Sequence, residues 1–206
     1  MVNSGNANAG TGAAGLVAAD TSCQSVSEQF AGEQHSVLPF STGVIGESLA
    51  VQKITNVMPA LADSLSEAAW DEAARAIMTT DTVPKIGSCE LEIDGQSVVL
   101  TGIAKGAGMI KPNMATMLAF VATDALIAQD ALTDLLQGAV NQSFNRITVD
   151  GDTSTNDACV LAATGCSGVA INRATEAWAK MQQAIDGLLI QLATAIIRDA
   201  EGATKF

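Results

Sequence analysis

The sequence predicts a mixed α/β fold, and three observations carry that prediction. Apolar residues recur at helical spacing in long segments, and shorter apolar or alternating runs between them have the length of strands. An Asp94-Gly95 dipeptide within an alternating run marks a tight hairpin turn. Because helical and strand patterns alternate along 206 residues with no internal repeat or long linker, we expect one domain over residues 1–206.

The first half of the chain predicts a loop, a helix and a hairpin. Residues 1–15 are rich in Gly and Asn and predict a loop that leads into a helix. From Leu61 to Met78 an apolar residue stands at every fourth position, with charged residues between, as in an amphipathic helix. Between Cys89 and Ile103 apolar residues alternate with polar ones around the Asp94-Gly95 turn, which predicts a β-hairpin.

The second half predicts further strands between two helices. The apolar run Met117–Thr123 has the length of a buried strand, and Gln129–Arg146 shows helical spacing of leucines. Ile147–Val149 and Ala158–Ala163 are short apolar runs that predict two more strands. The long amphipathic segment Arg173–Ala200 predicts the last helix, with Trp178, Met181, Ile185, Leu188, Leu192 and Ile196 as its apolar stripe.

Composition excludes several classes of function. A formal net charge of −12 argues against binding to nucleic acid or to an anionic membrane surface, since both need clustered Lys and Arg. The single histidine, His35, removes histidine-rich metal sites, and we expect no metal or other cofactor. The longest apolar run is too short to span a bilayer. Four cysteines without C-x-x-C spacing favour a reducing compartment, so we expect a cytoplasmic protein.

Two motifs invite interpretations that the sequence does not favour. Gly10, Gly12 and Gly15 spell a dinucleotide fingerprint, but the preceding residues do not predict the strand that such a site requires. Residues 147–154, ITVDGDTS, resemble the nucleophile loop of haloacid-dehalogenase-type phosphatases, which also need later Lys and acidic residues over much more chain. The phosphatase is a distant alternative to a polar turn in which Asp and Ser side chains cap backbone groups.

Two further segments carry hydroxyl groups at positions suited to acyl chemistry. Thr116 stands where a Gly-rich loop meets an apolar strand, the place of an N-terminal nucleophile if the chain is cut just before it. A loop threonine that caps a backbone group is the alternative. In Ser41–Gly46 a hydroxyl and adjoining backbone N–H groups could bind an oxyanion, whereas a simple turn is the alternative.

Taken together, the segments resemble the ornithine acetyltransferase family, also called glutamate N-acetyltransferases, of the cyclic arginine pathway. The resemblance keeps its order and spacing along the whole chain. It rests on VNSGNANAGTG at 2–12, STGVIGE at 41–47, AIMTTDTVPK at 76–85, KGAGMIKPNMATMLAF at 105–120, TDA at 123–125, ITVDGDTSTND at 147–157 and DAEGATKF at 199–206.

The resemblance implies a fold and a maturation step. It implies a layered α-β-β-α sandwich like that of N-terminal-nucleophile enzymes, here incomplete at both termini. It also implies a precursor that cuts itself between Ala115 and Thr116, so that residues 1–115 and 116–206 become the α and β chains of a heterotetramer. The α-amine exposed on Thr116, with an ordinary pKa of roughly 8, would then serve as general base for its own hydroxyl.

The resemblance also implies substrates and site residues. Acetyl passes from N-acetylornithine to Thr116 and then to glutamate, without a metal. Thr42 and Gly43 match the family's oxyanion-stabilising pair. The substrate-binding positions match Thr79 (with Thr80 as the neighbouring alternative), Lys105, Thr116 and Glu201. Lys105 would pair a substrate carboxylate and Glu201 the δ-ammonium of ornithine. No role is carried over to His35, Asp150, Asp152 or Asp157.

Some features depart from the family or leave alternatives open. Lys111 stands where a small apolar residue is expected, five positions before Thr116. Family members extend at both ends, so we expect this chain to be truncated. A related self-processing threonine peptidase and an inert unprocessed fragment are the alternatives. Whether acetyl-CoA also serves as donor, as for an amino-acid N-acetyltransferase, is not decided by the sequence.

Overall fold

The computed structural model describes residues 1–111 and 117–204, and the chain divides into two compact units, Met1–Thr79 and Thr80–Phe206. Each unit contains both helices and strands, so the predicted mixed α/β class is confirmed. That residues 1–206 form a single catalytic domain stays a prediction. The helices and strands are β1 (Val2–Asn6), α1 (Gly12–Phe30), β2 (Phe40–Val44), α2 (Val51–Asp63), α3 (Trp70–Ala76), β3 (Lys85–Ile93), β4 (Gln96–Lys105), β5 (Leu118–Thr123), α4 (Gln129–Gln142), β6 (Ala158–Ala163) and α5 (Glu176–Arg198).

The first unit begins with a strand, where the sequence predicts only a loop. β1 pairs in parallel with β2, from Val2 opposite Phe40 to Gly5 opposite Gly43. The strand exists because a distant segment supplies its hydrogen bonds, which local composition does not report. The expectation of no strand before the three glycines is therefore wrong. The loop that follows is nevertheless closed by its own side chains, because the Asn8 Nδ2 donates to the Gly15 carbonyl at 2.9 Å.

The helix predicted over Leu61–Met78 is wrong in its bounds, since α2 ends at Asp63 and α3 begins only at Trp70. Serine side chains explain the interruption. The Ser64 hydroxyl donates to the Leu61 carbonyl at 2.9 Å, and the Ser66 hydroxyl accepts from the Ala68 N–H at 3.2 Å. Such local bonds compete with the helical ladder, so an apolar period of four does not guarantee a continuous helix.

The second unit is built on a four-stranded sheet in the order β3-β4-β5-β6. β3 and β4 form the predicted hairpin, with Lys85 opposite Ala104 at one end, and β4 pairs antiparallel with β5. Asp94 and Gly95 have φ values of +52° and +76°, as a type I′ turn requires. β5 pairs in parallel with β6, which confirms both predicted strands.

Helix α5 covers this sheet and confirms its predicted apolar stripe. Five of the six stripe residues are buried and Trp178 packs against the core at its edge. A Cβ built on Gly87 would lie 2.6 Å from the Leu188 Cδ1, so this glycine lets the helix approach β3 closely. The carboxyl end of α5 lies near the start of β3, where Asp199 pairs with Lys85.

Helix α4 and the segment that follows it differ from the prediction. α4 ends at Gln142 rather than Arg146, because the Ser143 hydroxyl donates to the Ala139 carbonyl at 2.7 Å and a 3₁₀ turn follows. The strand predicted over Ile147–Val149 is wrong. These residues form an irregular segment in which the Val149 N–H donates to the Ile110 carbonyl at 2.7 Å.

Across the described ranges, no helix has both the length and the apolar character needed to cross a membrane.

Candidate functional site

The residues predicted to form the site fall in both units. Thr42 and Gly43 lie on β2 in the first unit, and Thr79 is the last residue of that unit. Lys105 ends β4 and Glu201 follows α5, both in the second unit. Ala115 and Thr116, the predicted cleavage site and nucleophile, lie outside the described residues.

Gly43 is required by the backbone of the first unit. Its φ is +131°, a conformation that L side chains rarely adopt. A Cβ at Gly43 would lie 2.3 Å from the carbonyl carbon of Gly5 and 2.6 Å from the Asn6 nitrogen, both on β1. The glycine is thus explained by strand packing alone, and its predicted contact with an oxyanion stays a prediction.

Lys105 is a buried cation with charged groups of both signs around it. Its residue is 8% exposed, and its Nζ lies 3.9 Å from Oδ2 of Asp81. Burial lowers the pKa of Lys105, the Asp81 carboxylate opposes that change, and the neighbouring Lys85 ammonium adds to it. A partly desolvated ammonium of this kind is suited to pair a carboxylate strongly.

Sequence reasoning missed a buried ion cluster beside Lys105. In the Lys85 cluster, which comprises Asp81, Lys85 and Asp199, the Lys85 Nζ lies 2.6 Å from Asp81 Oδ1 and 2.6 Å from Asp199 Oδ2. The three side chains are 0%, 0% and 5% exposed. The available signal was an Asp and a Lys four residues apart, just where an apolar strand begins. That spacing does not show that the lysine is buried, so it could not identify the second partner, Asp199.

Glu201 lies against the Gly-rich segment that follows Lys105. Its backbone N–H donates to the Ala107 carbonyl at 2.8 Å. A Cβ added to Gly108 would lie 3.1 Å from the Glu201 Cδ and 3.2 Å from each carboxylate oxygen. The structure therefore brings the segments of two predicted substrate-binding residues together in the second unit.

The Asp150 carboxylate bonds the backbone of the same segment. It accepts hydrogen bonds from the backbone N–H groups of Met109 and Ile110, the latter at 2.9 Å, and of Asp152 at 3.1 Å. Burial alone would raise the pKa of Asp150, but these N–H groups together lower it. The carboxylate caps a polar turn, so the alternative of a turn is confirmed and the phosphatase interpretation has no support.

Asp157 is the one described carboxyl group near Lys105 whose pKa is strongly raised. Burial raises the pKa of Asp157 to about 7, although the Met117 N–H, the Lys105 ammonium and the Ser154 hydroxyl act in the opposite direction. Its Oδ2 atom is buried and has no hydrogen-bond partner within residues 1–111 and 117–204. The Met117 N–H that bonds this carboxyl group belongs to the residue that directly follows the predicted nucleophile in the sequence.

Comparisons with known proteins agree with the resemblance in the sequence. A sequence model of the ArgJ family matches residues 1–206. An arginine biosynthesis bifunctional protein ArgJ from Methylococcus capsulatus is 58% identical over the whole chain, and one from Pseudomonas fluorescens is 52% identical. The match covers 51% of each relative, so the chain spans about half the length of the curated relatives it matches.

Solved structures give further similarities. A Bacillus halodurans ArgJ crystal structure is 44% identical, covering 55% of this chain and 60% of that chain, with a TM-score of 0.49. A Mycobacterium tuberculosis ornithine acetyltransferase complexed with ornithine is 32% identical, covering 54% of this chain and 60% of that one, with a TM-score of 0.47. Because the family's sequence pattern extends over every residue of the chain, the chain belongs to the ArgJ family.

Proposed function

We propose that this chain is part of a glutamate N-acetyltransferase that moves acetyl from N-acetylornithine to glutamate in arginine biosynthesis. The observation that carries the proposal is the match of the ArgJ family model to residues 1–206 of this chain, together with relatives named arginine biosynthesis bifunctional proteins. The geometry of the second unit supports it, because a buried cation and a carboxylate stand on adjoining segments, as a zwitterionic amino-acid substrate needs.

The proposed maturation is cleavage of the Ala115–Thr116 bond. The Thr116 hydroxyl adds to the Ala115 carbonyl, and the acyl group moves from the Thr116 nitrogen to its oxygen. Water then hydrolyses the ester, which leaves a carboxylate on Ala115 and a free α-amine on Thr116. The products are chains 1–115 and 116–206, which we propose to associate as a heterotetramer.

The proposed transfer is a two-step acyl exchange. The Thr116 amine takes the hydroxyl proton as the oxygen attacks the acetyl carbonyl, and the ornithine amine leaves with that proton. The amine of glutamate then attacks the acetyl-threonine ester and restores the hydroxyl. Thr42 and Gly43 donate hydrogen bonds to the oxyanion that forms in each step. Thr79, Lys105 and Glu201 bind the substrate, with Lys105 at its carboxylate and Glu201 at its δ-ammonium.

The setting of this reaction is also part of the proposal. Its substrates are small charged amino acids, and no nucleic acid or membrane takes part in the two acyl steps. We propose that the enzyme works in the cytoplasm, where the four free cysteines stay reduced.

The intact mass of the purified protein tests the maturation step. We expect the unaltered chain to give two pieces that end at Ala115 and begin at Thr116, while Thr116→Ala stays at 21.0 kDa. Thr133→Ala is the matched control, because Thr133 is an exposed threonine on α4 whose hydroxyl bonds only its own helix in the described contacts. A single uncut species in the unaltered chain and in both variants would overturn self-cleavage at this bond.

A second assay tests the substrate. The cleaved protein is incubated with N-acetylornithine, with and without glutamate, and the products are identified by mass spectrometry. We expect N-acetylglutamate to form only with glutamate present, and an acetylated 116–206 chain to accumulate without it. Release of free acetate at the same rate in both samples would instead indicate a hydrolase, the class of the threonine-peptidase alternative.

A further inference from the structure

The Lys85 cluster is held together more tightly than a surface ion pair. Besides its two carboxylate partners, the Lys85 Nζ lies 3.3 Å from the Val83 carbonyl. Asp199 accepts from the Thr82 N–H at 2.9 Å and from the Thr82 hydroxyl. Burial alone would raise the pKa of Asp199, but its bonds with Lys85 and Thr82 lower it. Each of the three side chains therefore has an ion-pair partner within the cluster, as buried ionisable groups require.

One arm of the cluster reaches Lys105. Asp81 Oδ1, which pairs Lys85, also accepts a hydrogen bond from the Gly106 N–H at 2.6 Å. The other oxygen, Oδ2, lies 3.9 Å from the Lys105 Nζ. A single carboxylate thus fixes the backbone directly after Lys105 and contributes negative potential at its ammonium.

The other arm reaches Glu201. Asp199 stands two residues before Glu201, at the end of α5. It forms a salt bridge with Lys85, although the two residues are 114 positions apart in the sequence. The Glu201 N–H in turn donates to the Ala107 carbonyl, which closes a ring of contacts back to the segment after Lys105. Movement of Asp199 away from Lys85 would therefore move Glu201 relative to Lys105.

We propose that Lys85 is a positioning residue for substrate binding, because it holds Asp81 and Asp199 together and so fixes the spacing between Lys105 and Glu201. The inference rests on the proposed function, in which those two side chains bind the opposite charges of one amino acid. A substrate of fixed length binds both only if their spacing is fixed, so positioning by Lys85 acts on affinity more than on the acyl steps.

Amide hydrogen exchange on the 206-residue chain tests the coupling without any need for turnover. The probes are the Gly106 and Glu201 N–H groups. In Lys85→Met and in Asp199→Asn we expect both amides to exchange about tenfold faster or more, since their anchor is loosened. The Leu126 and Ile171 N–H groups, bonded to Val169 and Leu126 carbonyls in the same unit, serve as internal references and should change less than about twofold.

Lys180→Met is the matched control variant. Lys180 is an exposed lysine on α5 that pairs with Glu176 four residues away, so its loss should leave all four amides unchanged. If Lys85→Met fails to fold, Asp199→Asn decides the question, because the asparagine oxygen still accepts from Thr82. Unchanged exchange at Gly106 and Glu201 in a folded variant would overturn the coupling.

Kinetics of the cleaved enzyme test the consequence for the substrate. We expect Asp199→Asn to raise KM for N-acetylornithine about tenfold and to change kcat less than about threefold. A loss of folded protein would lower kcat and leave KM unchanged, and that result would overturn the positioning role. If the unaltered enzyme transfers no acetyl, the proposed function fails, whereas the exchange experiment still decides whether Lys85 couples the two segments.

Discussion

The raised pKa of Asp157 leads to a quantitative prediction about stability and pH. Its folded-state pKa of about 7 lies above the ordinary 3.8, so the folded protein keeps a proton there that the unfolded chain has already lost. The free energy of unfolding therefore falls as pH rises from about 4 to about 7, and the whole penalty is present above pH 7. Below pH 4 both states are protonated and the penalty vanishes.

The magnitude follows from the difference between the two pKa values. At about 1.36 kcal/mol for each pH unit, the span from 3.8 to about 7 sets a ceiling of about 4 kcal/mol. Because the group is only partly buried, solvent screening reduces this to about 2 kcal/mol. Asp157→Asn cannot ionise, so it removes the penalty. Relative to the unaltered protein, we expect the variant to gain about 2 kcal/mol between pH 4 and pH 8.

Urea denaturation at pH 4 and pH 8 measures this gain. Each protein is compared with itself at the two pH values, so that any pH-independent cost of the amide cancels from the difference. Glu92→Gln is the control, because it makes the same kind of carboxylate-to-amide change at an exposed position on β3. A difference between Asp157→Asn and the unaltered protein that is equal at both pH values would refute the reasoning.

Three further predictions concern single contacts. Gly108→Ala should push the Glu201 carboxylate aside and raise KM for N-acetylornithine in steady-state assays, while the melting temperature stays nearly unchanged. Gly43→Ala should lower the free energy of unfolding by about 3 kcal/mol in urea, because its Cβ has no room beside Gly5. Asp150→Ala leaves the Met109 and Ile110 N–H groups without their acceptor. It should lower the free energy of unfolding in urea by about 1–2 kcal/mol. An Asp150→Ala protein as stable as the unaltered chain would contradict the assigned cap.

The local elements that the sequence predicts correctly are those whose pattern is self-contained. The α5 stripe recurs from Trp178 to Ile196 within one helix, and the Asp94-Gly95 dipeptide adopts the turn that its residues favour. The errors fall where a partner outside the segment decides. β1 forms only because β2 lies beside it, and the apolar run from Leu61 is interrupted by serine side chains that bond the backbone.

Some residues of the candidate site could likewise be predicted from the sequence, and others could not. Lys105 and Glu201 were predicted from the family resemblance, and the fold brings their segments together in the second unit. The sequence does not predict the three residues of the Lys85 cluster as site residues. From sequence alone, an aspartate or a lysine is expected to lie on the surface in contact with water. Only a hydrogen-bond network across the fold distinguishes them from surface residues.

The sequence by itself determined the mixed α/β class, most helices and strands, and membership of the ArgJ family, because these depend on local periodicity and on matched segments in order. The tertiary structure decided which charges are buried. Lys85 and Asp199 are 114 residues apart, and their pairing depends on how α5 lies on β3 rather than on any local pattern. The raised pKa of Asp157 has the same origin, since desolvation is a property of the packed fold and not of the residue.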